Sequence, residues 1–516
     1  MPPLRLPAGA PALAAALLLT TPVILADIRL PGLFTDHAVL QQKSPIPVWG
    51  WAEPGESVAV EFRGHTQQAI PAADGRWHLQ LPRQRAGGPD TLTVRGRNHT
   101  VVLTNILVGE VWICSGQSNM EWPMHRSENP QPAIDAATHP HIRLFKVPKL
   151  KAESPVDDVA ARWQPCQPAT VRDFSAVAYF FGAALEAARD VPIGLIQTAW
   201  GGSPAEVWIR EDAMWEHDEF RLDILNPHLA ARRRFQDQLV AWEAETARLR
   251  AEDQSPSQPR PTPGWQPAEL YNGMIHPLLP YAIAGAIWYQ GESNASRADQ
   301  YARLYPTLIR NWRHDWAQGD FPFLAVQLAP WDRNRNRSLD EITAHPVESD
   351  WAELREAQGI ATRVLPRVGL AVITDVGDKD DIHPSQKRPV GERLALAARS
   401  IAYGERLVAG GPLLRSARFS QGRARIRFDQ TGTGLEVRGE GLQGFQICGP
   451  DHQWVWANAQ VTGRTTVEVS HPSIPQPVAV RFGWADFPVV NLFNREGLPA
   501  SPFRTDDFPL TTARKP

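Results

Sequence analysis

The sequence predicts an α/β protein with a central parallel sheet, preceded and followed by β-rich modules. Four apolar runs of strand length each end in a turn rich in glycine, polar or acidic residues, at 106–114, 192–199, 282–289 and 368–374. Segments with helical spacing lie between them, and this alternation is typical of a parallel sheet covered on both faces. Short alternating apolar and polar runs dominate both ends of the chain and predict the β-modules.

Composition narrows the class of protein further. The chain has 516 residues, enough for about three domains at roughly 150 residues each. A formal net charge of -3 shows no excess of positive charge, so it does not indicate binding to nucleic acid or to an anionic membrane surface. Three cysteines cannot form a disulfide framework. Nineteen tryptophans and 47 prolines exceed ordinary usage, and a tryptophan surplus suits both cores and sugar-facing surfaces.

Residues 1–26 have the pattern of a secretory signal peptide. Arg5 precedes the apolar run 10–19, and Ala26 is the small residue expected at a cleavage site before Asp27. An uncleaved membrane anchor over 8–26 is the alternative, and prolines inside that stretch weaken it. The mature protein is therefore expected to be exported, periplasmic or secreted, and free of the membrane.

The rest of the chain divides into three predicted domains. Residues 27–105 read as an N-terminal β-sandwich, since turn signals separate their alternating runs. Residues 106–405 hold the apolar strands and helices of a central α/β domain, including an insertion at 227–267 with a charged helix and a proline-rich connector. Residues 406–516 return to the alternating pattern and read as a C-terminal β-sandwich.

The first candidate for chemistry is Ser118, in the turn Gly116-Gln-Ser-Asn-Met120 after the first apolar strand. A serine on a tight turn at the carboxyl end of a strand can present its hydroxyl at the rim of the sheet, where function sits in such folds. Asn119 can bond locally within the turn. The ordinary alternative for Ser118 is a helix N-cap.

The second candidate is His383, which follows Asp380 and Asp381 after the last apolar strand. A histidine can act as general base on a serine, and an aspartate can hold the tautomer that this requires. A solvated histidine on a surface loop is the alternative.

Two further strand ends carry neutral hydrogen-bond donors. One is Gly201-Gly202 after the second apolar strand, and the other is Gln290 after the third. A backbone amide and a side-chain amide are suitable donors for the oxyanion of an acyl-transfer reaction. Plain turn chemistry is the alternative, and the sequence leaves Glu292 open as an acid, a sugar-binding group or a structural partner.

Other chemistries have little support in the sequence. It contains neither the Gly-x-Ser-x-Gly elbow nor the His-Glu-x-x-His and Cys-x-x-Cys zinc motifs, and it has no Gly-x-x-x-x-Gly-Lys phosphate-binding motif. No carboxylate pair for glycoside hydrolysis stands out. We therefore expect no metal ion and no organic cofactor.

Taken together, these motifs resemble the sialate O-acetylesterase family, a branch of the SGNH hydrolases. The resemblance runs in order over nearly all of the mature chain, through the segments 109–122, 174–181, 194–206, 288–294, 381–384 and 491–499. It implies an SGNH-type three-layer domain and hydrolysis of acetyl esters on sugars.

The resemblance also assigns roles. Ser118 would be the nucleophile and His383 the base. The superfamily spacing Asp-x-x-His selects Asp380, whereas the Asp-Ile-His-Pro form of this branch selects Asp381, which we favour. The oxyanion donors would be the Ser118 amide, the amide of Gly201 or Gly202, and the side chain of Gln290, with Asn294 as the substitute.

The predicted function is thus a carbohydrate O-acetylesterase that acts on acetylated sialic acid or on a plant-wall glycan such as xylan or xyloglucan. A non-catalytic carbohydrate-binding protein and a glycoside hydrolase are the competing hypotheses. Four tryptophans lie beside the motifs, and each can either line a sugar cleft or be buried in the core: Trp122, Trp200, Trp208 and Trp288. The expected partner is an acetylated glycan and not nucleic acid.

Overall fold

The computed structural model describes residues 27–334 and 336–514. The predicted signal peptide, residues 1–26, lies outside the described residues. Within the described ranges, no helix combines the length and the apolar character needed to cross a membrane.

The N-terminal part is built from short, mostly antiparallel strands that lead into one long strand. These strands are β1 (Val39–Gln41), β2 (Ile46–Trp51), β3 (Val58–Phe62), β4 (His65–Ala69), β5 (Arg76–Leu81), β6 (Gly87–Arg95) and β7 (Thr100–Gly116). Strand β7 pairs with β6 through its first half and with the central sheet through its second half. The boundary predicted at 105/106 therefore falls inside a continuous strand, because one strand serves both parts.

The central sheet is mixed and mostly parallel. Its further strands are β8 (His139–Lys146), β9 (Gln164–Cys166), β10 (Ile193–Ala199), β11 (Gly285–Tyr289), β12 (Phe323–Val326) and β13 (Val368–Ala371). The order is β13-β12-β11-β7-β10-β8-β9, and only β9 along this path is antiparallel to its neighbour. The predicted runs correspond to β7, β10, β11 and β13, whereas β8 and β12 were not predicted. Strand β12 has four residues and is too short to stand out as a pattern.

Helices cover both faces of this sheet. The α-helices are α1 (Ser118–Glu121), α2 (Pro130–Asp135), α3 (Pro168–Val171), α4 (Ala176–Arg189), α5 (Glu211–Trp215), α6 (Asp218–Phe220), α7 (Asn226–Ala251), α8 (Ala298–Trp316), α9 (Leu339–Thr343), α10 (Asp350–Val364) and α11 (Arg388–Ile401). Helices α4 and α11 share one apolar core with the sheet, and α8 and α10 share the other. The inserted helix α7 is mostly exposed, as its charge pattern predicted.

The C-terminal part contains strands β14 (Leu413–Ser420), β15 (Arg423–Asp429), β16 (Leu435–Val437), β17 (Phe445–Cys448), β18 (Trp454–Trp456), β19 (Asn458–Gly463), β20 (Thr466–Ser470), β21 (Ala479–Phe482), β22 (Leu492–Asn494) and β23 (Phe503–Arg504). They form antiparallel sheets around their own apolar core. Arg504 bonds Glu356 of helix α10 at 2.9 Å, so this part is docked on the central domain. The three cysteines, Cys114, Cys166 and Cys448, are all free and buried.

Candidate active site

Three central strands end at the same level of the sheet, and hydrogen bonds connect the turns that follow them. In the parallel register, Gly116 of β7 is the partner of Ala199 in β10 and of Tyr289 in β11. Gly116 has φ +138°, and a Cβ there would lie 2.2 Å from the carbonyl oxygen of Tyr289, so only glycine fits. The Gln117 amide donates to that same oxygen at 2.9 Å, and the Trp200 amide donates to the Gly116 carbonyl at 3.1 Å. The turns that follow these strands are therefore held side by side.

Ser118 is the first residue of the short helix α1 and not its N-cap, a position that Gln117 occupies. Its Oγ lies 2.9 Å from Nε2 of His383, although the two residues are 265 positions apart in the chain. Amides in the first turn of a helix have no partner within the helix, so the Ser118 N–H can be offered to a ligand. The structure thus brings together the two residues on which the sequence prediction depends most.

The imidazole of His383 is held from its other side by an acidic loop. Its Nδ1 lies 3.5 Å from Oδ1 of Asp381, and the same oxygen accepts the His383 backbone amide at 2.8 Å. The carboxylate of Asp380 accepts from Lys379 Nζ at 2.5 Å and from the Asn336 amide at 3.0 Å. Asp381 therefore contacts both the ring and the backbone of His383.

The His383 ring also lies against an aromatic side chain. It stacks on the indole of Trp122 with 5.1 Å between ring centroids, and the guanidinium of Arg126 lies 4.0 Å from the Trp122 ring. Burial lowers the pKa of His383, and the negative charge of Asp381 opposes that shift. An imidazole with a lowered pKa is neutral at neutral pH, which is the form that accepts a proton from a hydroxyl.

A buried polar network lies directly beneath these residues. Asn119 Nδ2 donates to Glu292 Oε1 at 2.7 Å and to the carbonyl of Ile382 at 3.0 Å, and its Oδ1 accepts from Lys387 Nζ at 2.5 Å. Burial lowers the pKa of Lys387 to about 7 and raises the pKa of Glu292. Sequence reasoning expected only local bonding by Asn119 and did not single out Lys387, because nothing in the pattern shows that these residues meet.

Gly201 lies next to the nucleophile, and its amide already has an acceptor. A Cβ built on Gly201 would lie 3.2 Å from the Cβ of Ser118. The Gly201 N–H donates to Oε2 of Glu121 at 2.8 Å, and Oε1 of the same carboxylate lies 2.5 Å from Lys149 Nζ. The space beside Ser118 therefore already holds an oxygen atom bonded to this amide.

Gln290 is completely buried, and its side-chain amide is engaged within the protein. Its Nε2 donates to Asn294 Oδ1 at 2.7 Å and to the Ser203 carbonyl at 3.4 Å, while its Oε1 accepts from the hydroxyl of Tyr301 at 3.0 Å. Asn294, the predicted substitute, donates to Glu206 at 3.0 Å. In this arrangement both amides stabilise the turn, and Gln290 can serve an oxyanion only by exchanging these partners.

The four tryptophans near the motifs differ in exposure. Trp208 and Trp288 are fully buried core residues, so they cannot line a cleft. Trp122 is 8% exposed beneath His383, and Trp200 is half-buried next to Gly201. Within residues 27–334 and 336–514, the side chains of His, Cys, Asp and Glu form no group of three or more that could hold a metal ion.

Comparison with known proteins gives one matching family model and three similar proteins. The family model described as carbohydrate esterase, sialic acid-specific acetylesterase, matches residues 108–222 and 262–399. Sialate O-acetylesterase of Mus musculus is 29% identical over 503 residues, which cover 88% of this chain and 89% of that protein. The human protein of the same name is 28% identical over 539 residues, covering 94% and 95%. A crystal structure of a carbohydrate acetylesterase from Xanthomonas citri is 39% identical, with TM-score 0.79, and covers 93% of this chain and 100% of that one.

These similarities define the class of protein as a carboxylic ester hydrolase of the carbohydrate esterase type. The chain belongs to the sialic acid-specific acetylesterase family, as its motifs predicted. The family model leaves out residues 223–261, which contain the whole of the inserted helix α7.

Proposed function

We propose that the protein removes acetyl groups from sugar hydroxyls, with Ser118 as the nucleophile and His383 as the general base. The observation that carries this proposal is the 2.9 Å contact between Ser118 Oγ and His383 Nε2 at the carboxyl edge of the parallel sheet. A hydroxyl in hydrogen-bond reach of a neutral imidazole, itself oriented by a carboxylate, is the arrangement that activates serine for acyl transfer.

The reaction proceeds in two acyl transfers. His383 Nε2 takes the proton of Ser118 Oγ as the oxygen attacks the acetyl carbonyl carbon. The carbon–oxygen bond to the sugar then breaks, and the sugar oxygen leaves with the proton from His383. A water molecule, deprotonated by the same imidazole, attacks the acetyl-serine and releases acetate and the free hydroxyl.

Backbone amides stabilise the oxyanion in this proposal. The Ser118 N–H lies in the first turn of α1, and Gly201 lies next to Ser118. The Glu121 carboxylate, which now accepts from Gly201, is displaced by the substrate oxygen and keeps its ion pair with Lys149. Gln290 is the third donor that the family resemblance implies, and its use requires release from Asn294. Each such donor is worth roughly 10²- to 10³-fold in turnover.

We propose Asp381 as the carboxylate of the triad, and the pH profile tests this choice. In the wild type, kcat/KM is expected to rise with pH through a limb below the ordinary histidine pKa of about 6.5, because burial lowers the pKa of His383. The charge of Asp381 raises that pKa, so Asp381→Asn should move the limb to still lower pH and reduce kcat. The matched variant Asp380→Asn should leave the limb in place. If Asp380→Asn shifts the limb of the pH profile and Asp381→Asn does not, Asp380 is the carboxylate of the triad.

The identity of the acetylated sugar is tested by acetate release. The relatives carry the names sialate O-acetylesterase and carbohydrate acetylesterase, and both names describe acetyl esters of sugars. O-acetylated sialic acid, acetylated xylan and acetylated xyloglucan should be compared at equal ester concentration, with reducing-sugar release measured in parallel. Acetate release without reducing ends supports the esterase. Binding without acetate release would favour the carbohydrate-binding hypothesis, and new reducing ends would favour a glycosidase.

The fold of each domain and the export of the protein are part of the same proposal. We propose an SGNH-type three-layer fold for the central domain, with one β-sandwich module at 27–105 and another at 406–516. An exported protein, periplasmic or secreted, would meet acetylated glycans outside the cytoplasm. Export rests on residues 1–26, and an N-terminal sequence of the mature protein that begins at Asp27 would support it.

A further inference from the structure

Two tryptophans, Trp200 and Trp265, meet nearly at a right angle beside the nucleophile, and we call this pair the corner. Trp200 follows β10 and directly precedes Gly201, and Trp265 comes from the end of the proline-rich connector after helix α7. Their ring centroids are 5.6 Å apart, and the ring planes meet at 86°. Both side chains are half-buried, so each keeps exposed surface although it packs on the apolar core. The two indole rings are thus nearly perpendicular, and each has a partly exposed surface.

Two lysines lie in the same corner. Lys149 Nζ is 5.4 Å from the centroid of the Trp200 ring, and Lys151 Nζ is 5.9 Å from the Trp200 ring and 4.0 Å from that of Trp265. Both lysine side chains are partly exposed, at 44% and 34%. An ammonium group has three hydrogen-bond donors, so a single carboxylate partner leaves donors for a ligand.

The lysine charges are matched within the corner. Lys149 pairs with Glu121 at 2.5 Å, and Lys151 pairs with Glu269 at 3.0 Å. Two cations and two carboxylates sum to zero net charge. An uncharged ligand that is rich in hydroxyl groups suits this balance better than an anionic one.

The corner begins one residue from the reacting group. Trp200 and Gly201 are adjacent, and a Cβ on Gly201 would touch the Cβ of Ser118 at 3.2 Å. Glu121 links the two features, since it accepts from the Gly201 amide and pairs with Lys149. A ring bound in the corner would therefore lie next to an acetyl group placed at Ser118.

We propose that this corner is the subsite that binds an uncharged pyranose ring of the acetylated glycan. The apolar face of the sugar packs on the indoles of Trp200 and Trp265, and its hydroxyls accept bonds from Lys149 and Lys151. Aromatic side chains with a few placed polar groups are what small-molecule sites use for binding and orientation. The inserted segment would then contribute to substrate binding through Trp265. The proposal rests on the proposed function, because it assigns the sugar that this esterase site holds.

Steady-state kinetics of Trp265→Ala and Lys151→Met test the subsite on three substrates: acetylated xyloglucan oligosaccharide, an O-acetylated sialoside and 4-nitrophenyl acetate. We expect KM for the xyloglucan oligosaccharide to rise about tenfold in Trp265→Ala, the upper range for loss of one aromatic contact. The kcat/KM for 4-nitrophenyl acetate should stay within about twofold, because that ester carries no sugar. Trp265→Phe should restore much of the lost affinity.

Trp51→Ala is the matched control, since Trp51 is another half-buried tryptophan beneath a cation, 3.5 Å from the Cζ of Arg29, in the N-terminal part. The kcat and KM of this variant should equal those of the wild type on all three substrates. Three results would overturn the subsite: an unchanged KM in Trp265→Ala, an equal loss on 4-nitrophenyl acetate, or a Trp265-dependent KM for the sialoside alone. Failure of the proposed function is separate, because it appears as wild-type protein that releases no acetate from any of the esters.

Discussion

Ser118→Ala is expected to lower kcat/KM for 4-nitrophenyl acetate and for acetylated glycans by at least about 10⁴-fold, as removal of a serine nucleophile does in other hydrolases. The reason is that alanine has no oxygen at the position 2.9 Å from His383 Nε2. The rest of the site is unaffected by the change, so glycan binding should persist. Initial rates of acetate release together with calorimetric titration of the glycan measure the two properties separately.

Ser293→Ala supplies the control for this experiment, because Ser293 is a half-buried serine in the neighbouring turn after β11. It should retain activity close to that of the wild type. Near-normal turnover by Ser118→Ala, with the control equally active, would remove Ser118 from the reaction and with it the acyl-serine mechanism.

Asn119→Ala is expected to reduce the free energy of unfolding by about 3 kcal/mol or more, since the change leaves several buried polar groups without partners. Asn119 is fully buried and bonds Glu292, Lys387 and the Ile382 carbonyl. Turnover should fall as well, because the Ile382 bond holds the loop that carries His383. Chemical denaturation followed by tryptophan fluorescence measures the stability, and rates taken well below the transition measure the activity.

Asn458→Ala is the control for that stability change, since Asn458 is exposed on strand β19 and its loss should cost little. An Asn119→Ala protein as stable and as active as the wild type would show that the buried network neither stabilises the turn nor positions the histidine loop.

The sheet followed from pattern, because apolar strands that end in polar turns must place those turns at one edge. The segment after β13 must pass from the edge of the sheet back to β7 to bring His383 to Ser118. The chemical roles of serine and histidine predicted this return, and the apolar pattern did not. The helical spacing of residues 174–188 predicts helix α4 to within two residues of its observed bounds, Ala176–Arg189. These are the features that local periodicity and strand ends can determine.

Side-chain partners across long sequence distances could not be predicted in the same way. The pairing of Gln290 with Asn294 depends on a turn geometry that has no sequence signature, and it gives this amide a structural bond. Lys387 donates a hydrogen bond to Asn119, which is 268 positions away in the chain, and neither residue type predicts a buried pair. Trp265 reaches Trp200 only because a proline-rich connector folds back after an exposed helix, a path that composition does not specify.

The most direct test of the account is to trap the acyl-enzyme. Protein mixed with 4-nitrophenyl acetate, quenched in acid within the burst phase and digested, should yield a peptide that carries one acetyl group on Ser118, with no such peptide from Ser118→Ala. An acetyl group on another residue, or a burst of equal size from Ser118→Ala, would contradict the proposal that Ser118 is the nucleophile of this carbohydrate esterase.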